Sequence, residues 1–289
     1  TRDHLDYHKT LEDYFGAKRR LFQGTGASAP AASVINRDDE YGRQLAGLAA
    51  KTLTYGLEPG ADITTRKPSL TVSGIDCTLE TPVGKIEIHS KLVGRTNVYN
   101  ILAAVGAGVA LGLSRDVIAR GIEQLTAVPG RFERIDAGQP FLVVVDYAHT
   151  DDALRNLLAT AKDLNPSGRI ITLFGCGGDR DRTKRPLMGE AAGRGSDIVV
   201  LTSDNPRTED PLLIINDAIV GLQRTKAKHR IEPDRKLAIE IALDEARPGD
   251  TVILAGKGHE TQQVLRDRTI PFDDREVARN ILRQRGFGN

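Results

Sequence analysis

The sequence predicts an α/β protein whose second half is built on a doubly wound parallel sheet, and three observations carry that reading. From Arg131 onward, short apolar runs alternate with helical patterns, the rhythm of parallel strands covered by helices on both faces. Residues 62 to 94 instead alternate apolar and polar with period two, the pattern of antiparallel strands. Between these regimes the segment TAVPG at 126–130 stops a helix with its proline and glycine and sets a domain boundary. The expected domains are residues 1–127 and 128–289, the second Rossmann-like.

The elements follow in order. A helix is expected over Leu11 to Phe22, leading through the flexible stretch GTGASAPAAS into a short strand at VIN. Hairpins follow between 62 and 94, with Gly74 and Gly84 at the turns, and then helices from about Val98 to Leu111 and Arg115 to Leu125. Beyond the boundary the chain reads FLVVVD as strand, DDALRNLLATAKDL as helix, RIITLFG as strand, RPLMGEAAGR as helix and DIVVLTSD as strand. DPLLIINDAIVGL and Arg235 to Glu245 read as helices, TVILAG at 251–256 as a strand, and Asp273 to Arg285 as the last helix.

Composition bounds the function. At 289 residues the chain holds enough for two ordinary domains. Its formal net charge of +1 implies no general attraction to nucleic acid or membrane, so any anion must be bound locally. The longest apolar runs, such as Phe141 to Val145, are strand-sized. Two widely spaced cysteines, Cys77 and Cys176, suggest neither a disulfide scaffold nor a zinc site, and a monomer in a reducing cytoplasm is the simplest expectation.

Four loops carry chemistry, each at the carboxyl end of an expected strand, where an open α/β sheet binds its ligands. DNPRTEDP at 204–211 places Asn205, Pro206 and Arg207 after IVVL; the planar arginine fork suits a carboxylate, whereas the bland alternative is a solvated turn shaped by prolines. GCGGDRDRTKRP at 175–186 offers close backbone approach and amides near a helix start. It could be read as a dinucleotide fingerprint with Asp204 as the ribose acid, but Arg180 stands where the third glycine belongs, and a small-anion loop fits better.

VVVDYAHTDDAL at 143–154 brings Asp146, Tyr147 and His149 to a strand end, a cluster suited to a ribose or a metal-bound phosphate; alternatively Asp146 starts a turn and His149 caps the next helix. AGKGHE at 255–260 places Gly256, Lys257, His259 and Glu260, of which Glu260 could accept from an amine. Outside this domain, Asn97 and Asn100 in GRTNVYN stand at i and i+3 of a helix start, able to donate and accept as adenine requires, or simply to cap. His4 and Lys18 lie near the amino terminus, and a helical lysine is ordinarily solvated.

Taken together, DHLDYH, YFGAK, GRTNVYN, VPGRFE, VDYAHT, GCGGDRDRTKRPLMG, DNPR and AGKGHE resemble the Mur ligases over nearly the whole chain, in particular their diaminopimelate-adding branch. The resemblance implies that residues 1–127 are the C-terminal part of a central ATP-binding α/β domain and that 128–289 bind the amino acid. It implies an ATP- and Mg2+-dependent amide ligase of cytoplasmic peptidoglycan synthesis. In that reaction a carboxylate becomes an acyl phosphate and then an amide, chiefly by positioning and charge neutralisation.

By motif position His4 resembles a magnesium ligand, and Lys18 resembles the lysine that becomes a carbamate, an anionic oxygen ligand for a hard metal. Asn97, Asn100, Arg131, Asp146, Tyr147 and His149 fall on the nucleotide side, so domain closure is implied to assemble the site. Arg180, Asp204, Asn205, Pro206, Arg207, Gly256 and Glu260 fall on meso-diaminopimelate, the partner of UDP-MurNAc-L-Ala-D-Glu. Lysine-adding relatives lack the DNPR arginine.

Two departures stand out. The 289 residues contain no G-x-x-x-x-G-K-[ST] phosphate loop and no UDP-binding domain, so Thr1 is expected to start inside the central domain and this piece alone to be inactive. Asp151 replaces the proline that usually follows HT. The alternatives are a folylpolyglutamate synthetase-like ligase, a NAD-binding oxidoreductase using GCGG, and a non-catalytic binding module.

Overall fold

In a computed structural model, which describes residues 7–26 and 28–288, the chain divides into two compact units, Thr1–Ala127 and Val128–Asn289. The first begins with α1 (Leu11–Gln23), capped by Thr10, whose Oγ1 accepts from Asp13 N at 3.0 Å, and ended by Gly24 in the left-handed region. Strand β1 (Ser33–Asn36), helix α2 (Glu40–Leu45) and strand β2 (Thr52–Tyr55) follow, with β1 and β2 paired in parallel. The expected period-two stretch is a three-stranded antiparallel sheet of β3 (Ser69–Thr71), β4 (Gly74–Leu79) and β5 (Ile86–Ser90).

Alternation explains that sheet: Ile75, Cys77 and Leu79 of β4 and Ile86 and Ile88 of β5 turn to one face. They pack in one core with Val98, Ile101, Leu102 and Val105 of α3 (Arg95–Ala110), a stripe at helical spacing, and with Ile118 of α4 (Arg115–Glu123).

The second unit contains β6 (Glu133–Arg134), β7 (Leu142–Asp146), α5 (Asp151–Leu164), β8 (Ile170–Phe174), α6 (Lys184–Gly195), β9 (Ile198–Leu201) and α7 (Pro211–Leu222). It continues through β10 (Lys228–Ile231), α8 (Arg235–Asp244), β11 (Thr251–Ala255), the hairpin β12 (Gln262–Val264) and β13 (Thr269–Pro271), and α9 (Asp274–Gln284). Six strands form one sheet in the order β10-β9-β8-β11-β7-β6, parallel except for β6.

The connections from β7 to β10 run in one direction across the sheet and the connection to β11 runs back. With crossovers of one hand, the reversal puts α5, α6 and α7 on one face and α8 on the other. Accordingly α6 packs against both α5 and α7, while α8 packs against α9. One core joins Val143, Val145, Ile171, Leu173, Val252 and Leu254 with Ala238, Ile239 and Ala242 of α8 and Ala278, Ile281 and Leu282 of α9.

Several elements differ from expectation. The edge strand β10 reads KHRI and is exposed along its length, so it carries no apolar signal; β2, α2 and the β12–β13 hairpin also lacked one. Helix α3 starts at Arg95, before the expected Val98, with Gly94 at its N-cap. Asn97 is therefore inside the first turn and does not cap. His149 does not cap α5 either: Thr150 does, its Oγ1 accepting from Ala153 N at 3.2 Å.

Candidate functional site

The parallel strands β9, β8, β11 and β7 are neighbours, so their carboxyl ends bring the four chemical loops side by side. Backbone bonds stitch the ends together: Thr202 N donates to Phe174 O at 3.1 Å, Gly178 N to Asn205 O at 2.9 Å and Gly256 N to Asp146 O at 3.0 Å. The glycines of GCGG serve this packing. A Cβ on Gly178 would lie 1.9 Å from Pro206 O, and one on Gly175 would lie 2.5 Å from Thr202 O. The loop runs into α6 as expected, the helix starting at Lys184, one residue before the expected Arg185.

The DNPR turn is held from two sides. Arg207 adopts φ 51, a conformation that costs a residue bearing a Cβ about 1–2 kcal/mol and persists where surroundings enforce it. Its N donates to Val264 O at 3.1 Å, while Val264 N donates to Asn205 Oδ1 at 3.0 Å and Gln263 Nε2 to Asp204 O at 2.8 Å. The β12–β13 hairpin thus clamps the turn. Arg207 Nη1 donates to Gly178 O at 2.8 Å, and among the described residues no acceptor holds its Nε or Nη2. A Cβ on Gly177 would lie 3.2 Å from Arg207 Nη1 and 3.6 Å from Arg180 Cγ, so the two arginines flank that bare backbone. Arg180 itself is exposed.

Opposing charge comes from the AGKGHE loop. Glu260 Oε2 accepts from Lys257 Nζ at 2.8 Å and from Asn205 Nδ2 at 2.9 Å. Burial opposes ionisation of Glu260, yet these two donors outweigh it and hold the carboxyl below its ordinary range. Asp204 is buried, and burial pushes its pKa up against the pull of Arg235 and Lys257. It lies too deep for the ribose-acid role of a dinucleotide site. A Cβ on Gly256, at φ 110, would meet Asp204 Oδ2 at 2.8 Å, which accounts for glycine there.

At the β7 end, Asp146 Oδ2 accepts from Phe132 N at 2.7 Å and Oδ1 from Ala148 N at 2.8 Å, making the Asx turn that the sequence allowed. Burial raises its pKa against those two bonds and against Arg131 and His149. The Tyr147 ring has His149 at 4.6 Å on one side and His259 at 5.2 Å on another, with the Arg131 guanidinium 5.0 Å from its centroid.

Two buried arginines support these loops: Arg185, one of the charges that made 175–186 read as a small-anion loop, and Arg235, for which the sequence suggested no role. Arg185 pairs with Glu209 at 2.7 Å and Asp217 at 2.9 Å and donates to Gly177 O at 3.2 Å. The Arg185 bond to Glu209 holds that carboxyl down to about 2. Arg235, fully buried with Asp274, also donates to Ser203 O at 3.1 Å and Ala255 O at 3.0 Å, pinning the ends of β9 and β11. Both stand in the first turn of their helices, where a charged residue is ordinarily solvated, so no local signal marked them as buried.

In the first unit, Asn100 Nδ2 donates to Asn97 Oδ1 at 3.0 Å and Asn97 Nδ2 to Val93 O at 2.8 Å, so the pair shares one face of α3. Lys18 is exposed on α1, its Nζ 4.7 Å from the Tyr14 ring centroid. His4 lies outside the described residues. Among the described residues no group of three His, Cys, Asp or Glu side chains is arranged to hold a metal ion, and no helix is long and apolar enough to cross a membrane.

Residues 1–108 match the Mur ligase middle domain and residues 130–258 the Mur ligase glutamate ligase domain, and the chain belongs to the Mur ligase family. Within it, the chain is 60% identical over 289 residues to the UDP-N-acetylmuramoyl-L-alanyl-D-glutamate–2,6-diaminopimelate ligase of Solibacter usitatus, covering 99% of this chain and 58% of that one. The ligase of the same name from Geobacter metallireducens is 49% identical over 304 residues, with 98% and 59% covered. The chain therefore spans under three fifths of the length of these relatives. A solved structure of a ligase of that name matches with TM-score 0.65 at 38% identity, covering 99% of this chain and 59% of the other. Folylpolyglutamate synthase of Mycobacterium tuberculosis shares the fold, with TM-score 0.66 at 20% identity over 84% of this chain and 56% of that one.

Proposed function

We propose that the protein to which these residues belong is an ATP-dependent amide ligase that adds meso-diaminopimelate to UDP-MurNAc-L-Ala-D-Glu in cytoplasmic peptidoglycan synthesis. One juxtaposition carries the acceptor assignment: Arg207 and Arg180 flank Gly177, and Asn205 in the same turn as Arg207 is bonded to Glu260. Such a wall pairs a fork for carboxylate with an acceptor for ammonium, the two needs of an α-amino carboxylate centre. Diaminopimelate has two such centres. Holding one by Arg207, Arg180 and Glu260, over the tight backbone of Asp204, Pro206 and Gly256, leaves the amine of the other as nucleophile. The match to ligases named for this reaction supports the reading.

For the nucleotide, the guanidinium of Arg131 over the Tyr147 face, with His149 beside it and Asp146 fixing the strand end, suits an anionic aromatic ligand. In the first unit, Asn97 and Asn100 are assigned to adenine recognition. ATP would supply the phosphoryl group that activates the donor carboxylate; Arg131 would neutralise charge and the fixed Asp146 would keep the loop in register. Lys18, as a carbamate, and His4 are assigned to Mg2+, which would neutralise phosphate charge.

The decisive experiment compares diaminopimelate with lysine as acceptor for the full-length protein. Diaminopimelate should be preferred by at least about a hundredfold in kcat/KM, because lysine leaves the arginine fork unpaired. Arg207→Ala should narrow the gap. A preference for lysine would sink the acceptor assignment.

A further inference from the structure

Lys257 is a cation with no exposed surface, in a loop whose neighbours on both sides are glycines. Its Nζ donates to Glu260 Oε2 at 2.8 Å and to Asn205 Oδ1 at 3.1 Å and stands 4.0 Å from Asp204 Oδ1. Removing an ammonium from water is costly and is tolerated only where partners are fixed. The consequences for those partners are specific. Asn205 Oδ1 takes two donors, Lys257 Nζ and Val264 N, so the amide cannot flip and Nδ2 must point at Glu260.

Glu260 Oε2 then receives both Lys257 and Asn205, whereas Oε1 accepts nothing among the described residues, and the side chain is 30% exposed. One carboxylate oxygen is tied down and the other is presented. Arg235 is paired with Asp274, which leaves Lys257 as the cation that holds Glu260, with Asp204 Oδ1 4.0 Å from its Nζ.

We propose that Lys257 is a positioning residue of the acceptor site, which by holding Glu260 Oε2 and Asn205 Oδ1 together fixes Glu260 Oε1 as the seat of the substrate ammonium. This rests on the acceptor reading above. Being enclosed, Lys257 acts through Glu260 and touches no ligand. Besides Lys257, the groups facing Glu260 are Asn205 and Asp204 from the β9 loop and Arg235 from α8, the last backed by Asp274 of α9.

The test uses the full-length protein and three variants: Lys257→Met, of similar length without charge, Lys257→Gln, polar without charge, and Lys257→Arg. KM for diaminopimelate should rise about tenfold or more in Lys257→Met, as loss of a charge-assisted bond implies, with KM for ATP unchanged. Without the lysine, Glu260 takes up a proton at higher pH, so the acid-side loss of acceptor affinity should move toward neutrality. Lys257→Arg should restore part of both. A lysine that merely filled space would lower the melting temperature while leaving KM and the pH profile of the surviving folded enzyme unmoved, and that result overturns the inference. A Lys257→Met protein that does not fold is answered by Lys257→Arg: an Arg variant with wild-type stability yet no pH shift and no KM change relative to Lys257→Gln also overturns it. If the wild-type protein ignores diaminopimelate, the acceptor assignment fails first and this inference falls with it.

Discussion

At the scale of single residues, the molecule separates groups that read a ligand from groups that hold the readers. Arg207 keeps Nη1 for Gly178 O, and its φ of 51 is imposed by the bonds to Val264 and Gly178. Glu209 is a holder. Its carboxyl sits at about 2 because Arg185 donates to it, against an ordinary value of 4.5. A depressed folded-state value adds stability that is complete above the unfolded value and disappears as pH falls from about 4.5 toward 2. Glu209→Gln should therefore destabilise the protein at pH 7 by on the order of 1 kcal/mol, allowing for solvent screening, and by much less at pH 3. Urea unfolding at the two pH values checks the sign, and an equal loss at both would refute it. Lys18 yields a second residue-scale expectation. In the full-length protein Lys18→Ala should abolish activity that a short added carboxylate partly restores, if a carbamate oxygen is what the lysine supplies. Activity that stays lost in a folded protein would count against that role.

At the scale of elements, close approach and buried charge do the fixing. Helices α6 and α7 meet through glycines: a Cβ on Gly221 would lie 1.7 Å from Pro186 O, and one on Gly189 would lie 2.0 Å from Ala218 O. No L side chain fits without moving one helix. The Arg235–Asp274 pair joins the starts of α8 and α9 to the ends of β9 and β11. Removing one partner strands a buried charge, so Arg235→Met or Asp274→Asn should each cost about 3–5 kcal/mol in denaturant unfolding. A loss below about 1 kcal/mol would show that the pair is dispensable. The sequence marked most of these elements correctly where apolar period and length agreed, as in α5, β8 and β11. It missed β10, whose four residues are all exposed, and the β12–β13 hairpin, whose turn Leu265 to Arg268 has no glycine, asparagine or proline. The hairpin was the costlier omission, since it is what clamps the DNPR turn.

At the scale of the whole chain, each unit has its own core, and the sheet core joins residues from Ile135 to Leu282 alone. Residues 128–289 should accordingly fold by themselves with one cooperative thermal transition, as a self-contained core of this size allows. A broad, non-cooperative melt with no near-ultraviolet circular dichroism signal would contradict that.

The sequence by itself determined the α/β class, the strand ends that carry Asp146, Gly175, Asp204 and Gly256, and the charged side chains available there, because hydrophobic period and turn chemistry are local properties of the chain. Tertiary structure alone decided which of those charges are spent on one another. That Lys257 faces Glu260 and Asn205, that Arg185 is consumed by Glu209 and Asp217, and that Asp204 is enclosed while Arg180 is exposed all depend on strand order. Strand order is set by long-range packing, and once burial lowers the local dielectric, a few ångströms of separation determine whether a charge is a ligand's partner or a neighbour's.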